Sequence, residues 1–398
     1  MMTRKEFLKN MTTLGLASPF LATLLASCND KAEFFQDIES DFQGSVLIIG
    51  AGAAGLTAGH LLHQQNINFQ ILEAAPTHGG RVKKMGDFVD FPIDLGAEWI
   101  HTDPSILATL LNDPTSTANI DIITYNPQTI SVWKKGQLKK RNFFSNFYSE
   151  YKFKSSTWFD FFDQLIVPNI QDRIHYSCPV KAVNYEADKV VIKTNAGDVY
   201  EADKVLVTVP ITILQNNLLT FTPELPASKI NAINEEWMPD GLKVFIEFSE
   251  RFYPDVVMFD NLLEAAANSN HTYYNAAFGK ETNKNVFALF TVGEPAQRYT
   301  ARQTDQAIFE LVMEELDEIF GGKASQFYVK HVVQNWSAEP FVQGSYSHGG
   351  ADVEELARPV ANKVYFAGEA MNTKGNTSTV HGAGESAYLA LEELLRQG

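Results

Sequence analysis

The chain has 398 residues, 45% of them hydrophobic and 28 of them Phe, so it can bury a large core divided between two domains. Its formal net charge of −16, from 48 acidic and 32 basic residues, argues against a nucleic-acid partner because the phosphates would be repelled. With only two cysteines, Cys28 and Cys178, a disulfide framework is not indicated.

The first 28 residues are predicted to be an export signal rather than part of the fold. Arg4, Lys5 and Lys9 precede an uncharged stretch, residues 10–29, that is too short and too polar for a good membrane-spanning helix. Residues 3–9 resemble a twin-arginine signal in which a lysine replaces one arginine.

The end of this stretch predicts a lipid anchor. Leu25-Ala26-Ser27-Cys28 resembles the lipobox of bacterial lipoproteins, so Cys28 is expected to carry the lipid, followed by a polar tether at residues 29–43. The expected location is an exported, membrane-anchored lipoprotein on the periplasmic side or the cell surface, with no other membrane contact. The alternative is a cytoplasmic protein with an N-terminal tail.

A glycine-rich turn follows the tether. Residues 46–55 read Val-Leu-Ile-Ile-Gly-Ala-Gly-Ala-Ala-Gly, and a second apolar strand ends at Glu73. Gly50 allows a tight turn, Gly52 lets the backbone approach a pyrophosphate, and Gly55 lets the next helix pack closely on its strand. Glu73 is placed to accept hydrogen bonds from a ribose. The pattern predicts a βαβ unit that binds a dinucleotide, with NAD and FAD equally compatible at this point.

Two later segments of the chain are predicted to add strands to the nucleotide-binding sheet. An aromatic-rich stretch between Phe143 and Phe162 is predicted to be packed core. The later predicted elements are strands at 180–185, 189–194, 199–204, 205–209 and 242–248, a helix at 304–320, a buried strand at 363–369 and a helix at 382–396. The predicted fold class is α/β with α+β inserts. Its Rossmann-like domain is assembled from residues 44–110, 175–220 and 335–398, and its second domain comes from residues 111–174 and 221–334.

Motifs spread along the chain resemble those of the flavin-containing amine oxidases. This family includes monoamine, polyamine and spermine oxidases, L-amino-acid oxidases and flavin-dependent histone demethylases. The matching stretches are residues 48–59, Glu73 with residues 79–81, residues 94–101, Lys243, and residues 336–346, 366–369 and 378–383. The resemblance implies FAD as cofactor and the two-domain amine oxidase fold. Residues 378–383 are most similar to polyamine oxidases and histone demethylases, and the short spacing between His101 and Val180 implies a reduced substrate-binding domain.

The resemblance also implies cofactor contacts. Gly80 and Arg81 are expected at the diphosphate, although Pro76-Thr77-His78 stands where the family usually has an arginine. Val180 is expected to meet the adenine through its backbone. The remaining implied cofactor-binding residues from the first motifs are Ala54, Gly96, Ala97 and Glu98.

The C-terminal motifs are expected to hold the rest of the flavin. Glu369, after Gly368, is expected to face the ribityl or pyrophosphate region. The N–H groups of Thr379 and Val380, at the start of the last helix, are expected to face the flavin N1–C2=O edge. Ser345 replaces the cysteine that bonds FAD in some members, so FAD is expected to be held non-covalently.

Three residues are implied in catalysis, and no metal is expected. Lys243 matches the family lysine that reaches flavin N5 through a water, and Tyr346 forms one wall of the aromatic cage that orients the amine. The opposite wall falls at Thr379, which leaves the cage half built. His101 is placed either near the substrate amine or as a strand histidine bonded to backbone, and the sequence favours neither.

The resulting prediction is an FAD-dependent amine oxidase. A primary amine or polyamine passes a hydride to flavin N5, and O2 reoxidises the flavin with release of H2O2. Alternatives are an L-amino-acid oxidase, another FAD-dependent dehydrogenase or desaturase, and a membrane-tethered flavin-binding protein without turnover. An amino acid substrate requires an arginine in the pocket, and the candidates in or beside the inserts are Arg141, Arg173, Arg251, Arg298 and Arg302. The sequence indicates no oligomeric state.

Overall fold

A computed structural model describes residues 35, 38, 40–113, 120–140, 150–259 and 270–396. The predicted signal and lipobox, residues 1–28, and most of the predicted tether lie outside these residues, as does Arg141. Within the described ranges, no helix is long and apolar enough to cross a membrane.

The described residues form twenty-one strands and eleven α-helices. The strands are β1 (Ser45–Ile49), β2 (Asn68–Leu72), β3 (Lys84–Met85), β4 (Ile93–Asp94), β5 (Trp99–Ile100), β6 (Ile122–Tyr125), β7 (Ile130–Lys134), β8 (Gln137–Lys140), β9 (Glu150–Phe153), β10 (Ile174–His175), β11 (Val180–Asn184), β12 (Val190–Thr194), β13 (Val199–Ala202), β14 (Lys204–Val207), β15 (Thr220–Thr222), β16 (Gly241–Phe248), β17 (Val256–Phe259), β18 (Asn270–Asn275), β19 (Asn285–Val292), β20 (Tyr328–Asn335) and β21 (Val364–Phe366).

The helices are α1 (Ala53–Gln64), α2 (Ile106–Leu111), α3 (Trp158–Leu165), α4 (Val167–Ile170), α5 (Ile211–Gln215), α6 (Ala227–Glu235), α7 (Glu294–Thr300), α8 (Asp305–Phe320), α9 (Lys323–Phe327), α10 (Val353–Ala357) and α11 (Val380–Arg396). Short 3₁₀ turns occur at Gln171–Arg173 and Glu369–Met371.

A five-stranded parallel sheet, in the order β10-β2-β1-β14-β21, forms the nucleotide-binding half. Its central strand is buried on both faces, which explains the continuous apolar run of the sequence. Val46 and Ile48 pack with helices α1 and α11 on one side. Leu47 and Ile49 pack on the other side, against the core that lies under the four-stranded sheet β13-β12-β11-β15.

A seven-stranded sheet, in the order β20-β16-β19-β18-β17-β7-β8, forms the other half. Strand β16 shows how its two faces differ. Leu242, Val244 and Ile246 pack against helix α8, while Phe245 belongs to the core on the opposite face. Because side chains alternate along a strand, Lys243 also lies on the face away from α8. That face lines the cavity described below.

The α/β class with α+β inserts is confirmed, and so are the predicted strands and helices, with ends that shift by a few residues. The domain bounds stay a prediction. Of the residues assigned to the second domain, β7 and β8 join the seven-stranded sheet, whereas Trp158, Phe161 and Phe162 are buried in the core next to helix α1. The expectation that the aromatic-rich stretch is packed core is thus confirmed for these three residues; Phe143 lies outside the described residues.

Candidate active site

A cavity of about 1730 Å³ is lined by residues of both large sheets. Every residue that the sequence analysis placed in the site lines this cavity, except Gly55. One continuous cavity is therefore lined by the dinucleotide turn, Lys243 and Tyr346. Their individual roles remain predictions, and the geometry below shows what each side chain contacts.

The glycine turn joins β1 to α1, and each of its three glycines is present for a different reason. Gly50 has φ +108°, a region that favours glycine, and its N–H donates to the Leu72 carbonyl at 2.9 Å. A Cβ at Gly55 would lie 1.9 Å from the Gly50 carbonyl oxygen, so only glycine allows the helix to approach. A Cβ at Gly52 would meet nothing closer than the Gly79 carbonyl oxygen at 3.9 Å. The space at Gly52 is open toward the cavity, which fits a ligand that lies against the backbone.

Glu73 lies at the end of β2, beside this turn. Its Oε2 accepts from the Ala51 N–H at 2.6 Å, and its Oε1 accepts from the Ala75 N–H at 2.8 Å. Burial raises the pKa of Glu73, and the backbone hydrogen bonds oppose that shift. Each carboxylate oxygen keeps a further lone pair, so the residue fits the expected ribose contact. Val180 also lines the cavity, at the start of β11.

A second glycine loop lies against the first. The Gly79 N–H donates to the Ala51 carbonyl at 2.8 Å, and Gly80 has φ +57°. A Cβ at Gly96 would lie 1.8 Å from the Arg81 carbonyl oxygen. The absence of a side chain at Gly96 is therefore required by the neighbouring loop and not by a ligand alone.

Glu369 holds three of the cavity-lining segments together. Its Oε1 accepts from Arg81 Nη1 at 2.8 Å, its Oε2 accepts from Ser347 Oγ at 2.6 Å, and the Ser378 N–H donates to Oε2 at 3.1 Å. Burial by itself would raise the pKa of Glu369, but the Arg81 guanidinium and the Ser347 hydrogen bonds outweigh it and hold that pKa below its usual range. This buried carboxylate therefore has N–H and hydroxyl donors as well as an ion pair, and its contact with the cofactor stays a prediction.

Helix α11 begins at the cavity wall. Thr379 Oγ1 accepts from the Gly382 N–H at 2.9 Å, which is an N-cap interaction. The first-turn N–H groups and the positive end of the helix dipole favour negative charge here. The predicted helix start at Thr379 and Val380 is confirmed.

Lys243 is almost completely buried, and its ammonium is held by Glu98. Lys243 Nζ lies 2.8 Å from Glu98 Oε2 and donates to the Asp94 carbonyl at 3.2 Å. Lys152 Nζ lies 2.5 Å from the other oxygen of Glu98, and the Tyr274 hydroxyl also donates to Oε2. The side chain of Glu98, expected to bind the cofactor, is thus engaged by two lysines, and its cofactor contact stays a prediction.

The charges in this group influence one another. Burial lowers the pKa of Lys243, and the Glu98 carboxylate opposes that shift. Burial would raise the pKa of Glu98, but the two lysines outweigh it and lower that pKa. Glu98 is therefore an anion that favours the charged form of Lys243.

Tyr346 lies near two other rings. Its ring centroid is 6.4 Å from that of Phe290 and 4.6 Å from that of His348. The near-parallel Phe290 ring is too close to sandwich a substrate, because an inserted group needs about 7 Å, or two carbon–carbon contacts. Phe290 therefore does not complete the cage. Trp99 and Tyr274, which also line the cavity, supply further aromatic surface.

His101 pairs with a carboxylate in the cavity lining. Its Nδ1 lies 2.5 Å from Glu150 Oε1, and both residues line the cavity. The structure therefore does not give the His101 side chain the backbone partner considered above. Tyr346 carries a raised pKa, mainly because of burial and secondly because of Glu150.

Sequence reasoning missed Glu150, Lys152, Tyr274 and Phe290. Glu150 and Lys152 are two residues apart on β9, so the strand period puts both on one face. The sequence signal that could have identified these two site residues was a carboxylate and a lysine on one face of a short strand. Their partners are remote in the sequence, and no local pattern points to them.

None of the described arginine candidates for an amino acid carboxylate lines the cavity. Among the described residues, Arg81 is the one arginine that lines it. Arg251 pairs with Asp255 at 2.6 Å, and Arg298 pairs with Glu315 at 3.0 Å. Neither Arg173 nor Arg302 lines the cavity, and Arg141 lies outside the described residues.

Comparison with known proteins identifies the class that this fold and site define. A model of the flavin containing amine oxidoreductases matches residues 162–395, and a model of the NAD(P)-binding Rossmann-like domain matches residues 48–113. The first match covers more than half of the chain. The chain belongs to the flavin-containing amine oxidoreductases, and its cofactor is FAD.

Curated relatives agree with the family assignment. Lysine-specific histone demethylase 2 of Homo sapiens is 23% identical over 82% of this chain and 50% of its own length. Polyamine oxidase 1 of Zea mays is 28% identical over 57% of this chain and 46% of its own length. The chain thus spans about half the length of these relatives.

The structural neighbours cover the whole fold. A redesigned putrescine oxidase superposes with a TM-score of 0.72 over 90% of this chain and 100% of that chain, at 13% identity. Cyclohexylamine oxidase from Brevibacterium oxydans IH-35A gives a TM-score of 0.71 over 89% of this chain and 99% of that chain, at 14% identity. At these identities, the likeness shows the fold.

Proposed function

We propose that the protein is an FAD-dependent oxidase of a primary amine or polyamine that releases H2O2. One observation carries the proposal: the buried Lys243 lines the same cavity as the dinucleotide turn and the Tyr346 ring. The cavity therefore combines a cofactor site, a cationic group and an aromatic wall.

The lining residues fit FAD along its length. Gly52 leaves open space for a close-lying pyrophosphate, Glu73 offers carboxylate oxygens to a ribose, and the start of helix α11 offers N–H groups to an anionic ring edge. When bound, FAD supplies the acceptor for a hydride from the carbon next to the substrate nitrogen. Non-covalent binding is supported by Ser345, which lines the cavity without a thiol.

The chain's own residues would then orient the substrate and stabilise negative charge in the cavity. The rings of Tyr346 and Trp99 attract and orient the amine through their faces. The α11 dipole and the Lys243 ammonium favour negative charge that develops in the cavity. Lys243 can also hold a water at the cavity wall, since an ammonium offers three donors.

The substrate wall favours an amine over an amino acid. Glu150 is a carboxylate in the lining, and the described residues put no arginine there apart from Arg81, which is engaged by Glu369. A second ammonium of a diamine would be attracted to Glu150, whereas the carboxylate of an amino acid would be repelled. This arrangement supports polyamines above L-amino acids.

The decisive experiment is anaerobic bleaching. The yellow protein is mixed without oxygen with putrescine, spermidine, spermine, benzylamine, tryptamine and L-amino acids, and H2O2 is measured after air is admitted. Loss of flavin colour with an amine, followed by peroxide, supports the proposal. Bleaching by amino acids alone would indicate an L-amino-acid oxidase. Colour that no amine removes would favour a flavin-binding protein without turnover.

We also propose that the protein is exported and anchored by a lipid on Cys28. The support is the sequence of residues 1–28 alone. Cys28→Ala should move the protein from the membrane fraction to the soluble fraction and abolish labelling with radioactive fatty acid. Unchanged fractionation of this variant would contradict the anchor.

A further inference from the structure

A cluster of buried lysines lies behind the cavity wall at Lys243. Lys243 lines the cavity, whereas Lys152 does not line it and is buried to 1% exposure. Glu98 lies between them, 2.8 Å from Lys243 Nζ and 2.5 Å from Lys152 Nζ. Lys152 therefore adjoins the cavity through residues that line it, and Glu98 is the carboxylate that it shares with Lys243.

The cluster carries more positive than negative charge. Asp94 is buried, and this burial together with the nearby Glu98 raises its pKa well above the usual range, which favours the neutral form of this carboxyl. Lys280 donates to the Phe153 carbonyl at 2.8 Å and interacts with Lys152, and burial lowers its pKa to about 8. One carboxylate, that of Glu98, is thus shared by at least two buried ammonium groups.

Aromatic faces compensate part of this excess. Lys152 Nζ lies 5.0 Å from the ring centroid of Tyr125 and 5.4 Å from that of Trp99. Such contacts stabilise a cation but supply no negative charge. A buried charge without a full counter-ion is costly, so the cluster favours an anionic group in the adjoining cavity. This local positive field is opposite in sign to the net charge of the chain, −16.

We propose that Lys152 is a positioning residue for Lys243: by taking one oxygen of Glu98, it leaves the cavity wall with a net positive charge that stabilises negative charge on the bound flavin. Without Lys152, Glu98 and Lys243 form a neutral pair, and the carboxylate cancels much of the ammonium's field. With Lys152, the carboxylate is shared, and the field of Lys243 reaches the cavity. The inference rests on the proposed function in that FAD lies beside Lys243.

The test is the midpoint reduction potential of the bound FAD, measured in the holoprotein without an amine. Lys152→Met should shift the potential to a more negative value, because negative charge on the flavin loses stabilisation. Lys152→Gln, neutral but polar, is the second variant and should shift it in the same direction. Lys152→Arg keeps the charge and should restore a potential near that of the parent.

A matched control removes a buried lysine elsewhere. Lys229 packs against the Phe366 ring and donates to the carbonyls of Glu355 and Leu356. Lys229→Met should therefore leave the potential unchanged. An unchanged potential in a folded, FAD-loaded Lys152→Met or Lys152→Gln protein overturns the inference. Since no amine is used, a parent protein that oxidises no amine would contradict the proposed function and leave this measurement valid.

Discussion

Arg81 and Glu369, which are 288 positions apart in the chain, form a 2.8 Å ion pair at the cavity wall. Glu369 also accepts from Ser347 and Ser378, so a single carboxylate fixes loops that the glycine turn alone could not align. The pair links the first and the last segments of the FAD site, and its loss should affect cofactor binding and folding together.

Glu369→Gln should therefore reduce the FAD content of the purified protein and lower its free energy of unfolding by about 3 kcal/mol, the scale for breaking a buried ion pair. Because the folded-state pKa is lowered, the carboxylate stabilises the fold fully above the unfolded pKa of about 4.3, and this contribution is lost as the pH falls through the folded pKa. Denaturant titrations at several pH values check both statements. Glu281→Gln, at an exposed pair with Lys154, is the control, and equal losses in both variants would contradict the role of Glu369.

Two glycine substitutions in the turn should have different effects. Gly55→Ala should destabilise the protein by about 1–3 kcal/mol, because its Cβ would lie 1.9 Å from the Gly50 carbonyl oxygen. Gly52→Ala has no such clash and should leave the stability of the FAD-free protein nearly unchanged while weakening FAD binding. Thermal unfolding of the FAD-free protein and FAD titration separate the two effects. FAD affinity unaffected by Gly52→Ala would exclude close contact of the cofactor with this residue.

Lys243→Met should slow the reoxidation of the flavin by oxygen more than its reduction by an amine. The ammonium favours negative charge in the cavity, and a loss of about 1.4 kcal/mol of that stabilisation corresponds to a tenfold slower step. Stopped-flow measurements of both half-reactions provide the comparison. Lys189→Met, at an exposed lysine paired with Asp203, is the control. Equal reoxidation rates in Lys243→Met and the parent would remove Lys243 from this role.

Glu150→Gln should raise KM for a diamine more than for a monoamine of similar length. The carboxylate lines the cavity beside His101, and only the diamine keeps a second ammonium that it can attract. A loss of roughly 1.4 kcal/mol in that attraction is a tenfold rise in KM. Steady-state assays with putrescine and butylamine test the difference. A parallel rise for both substrates would indicate a general effect on the cavity instead.

Lys229 should make stability rise with pH. Burial lowers its pKa to about 7, whereas an unfolded lysine has a pKa of about 10.4. Between these values the unfolded state binds more protons, so the free energy of unfolding should increase as the pH rises from about 7 to about 10. Lys229→Met should flatten this rise in denaturant titrations. A rise of the same slope in the variant would show that another group causes it.

Local patterns in the sequence predicted the first βαβ unit, six later strands and the helices α8 and α11, but not the other described strands and helices. The apolar runs of β1 and β14 and the helical spacing of residues 304–320 are all short-range signals. Such signals can be read without a tertiary structure, because the hydrophobic pattern of a strand or helix repeats every few residues. They could not indicate that β7 and β8 join the sheet of β16, since strand pairing between distant segments leaves no local trace.

The sequence by itself determined the dinucleotide turn, the family and the positions of Lys243 and Tyr346, because each depends on motifs of a few adjacent residues. Only the tertiary structure decided which side chains surround Lys243. Glu98 reaches it across 145 positions, and Phe290 stands opposite it in the β16–β19 register. Charge pairing acts over a few ångströms in space, whatever the separation along the chain, so the partners of a buried ammonium become visible only when the sheets have been assembled.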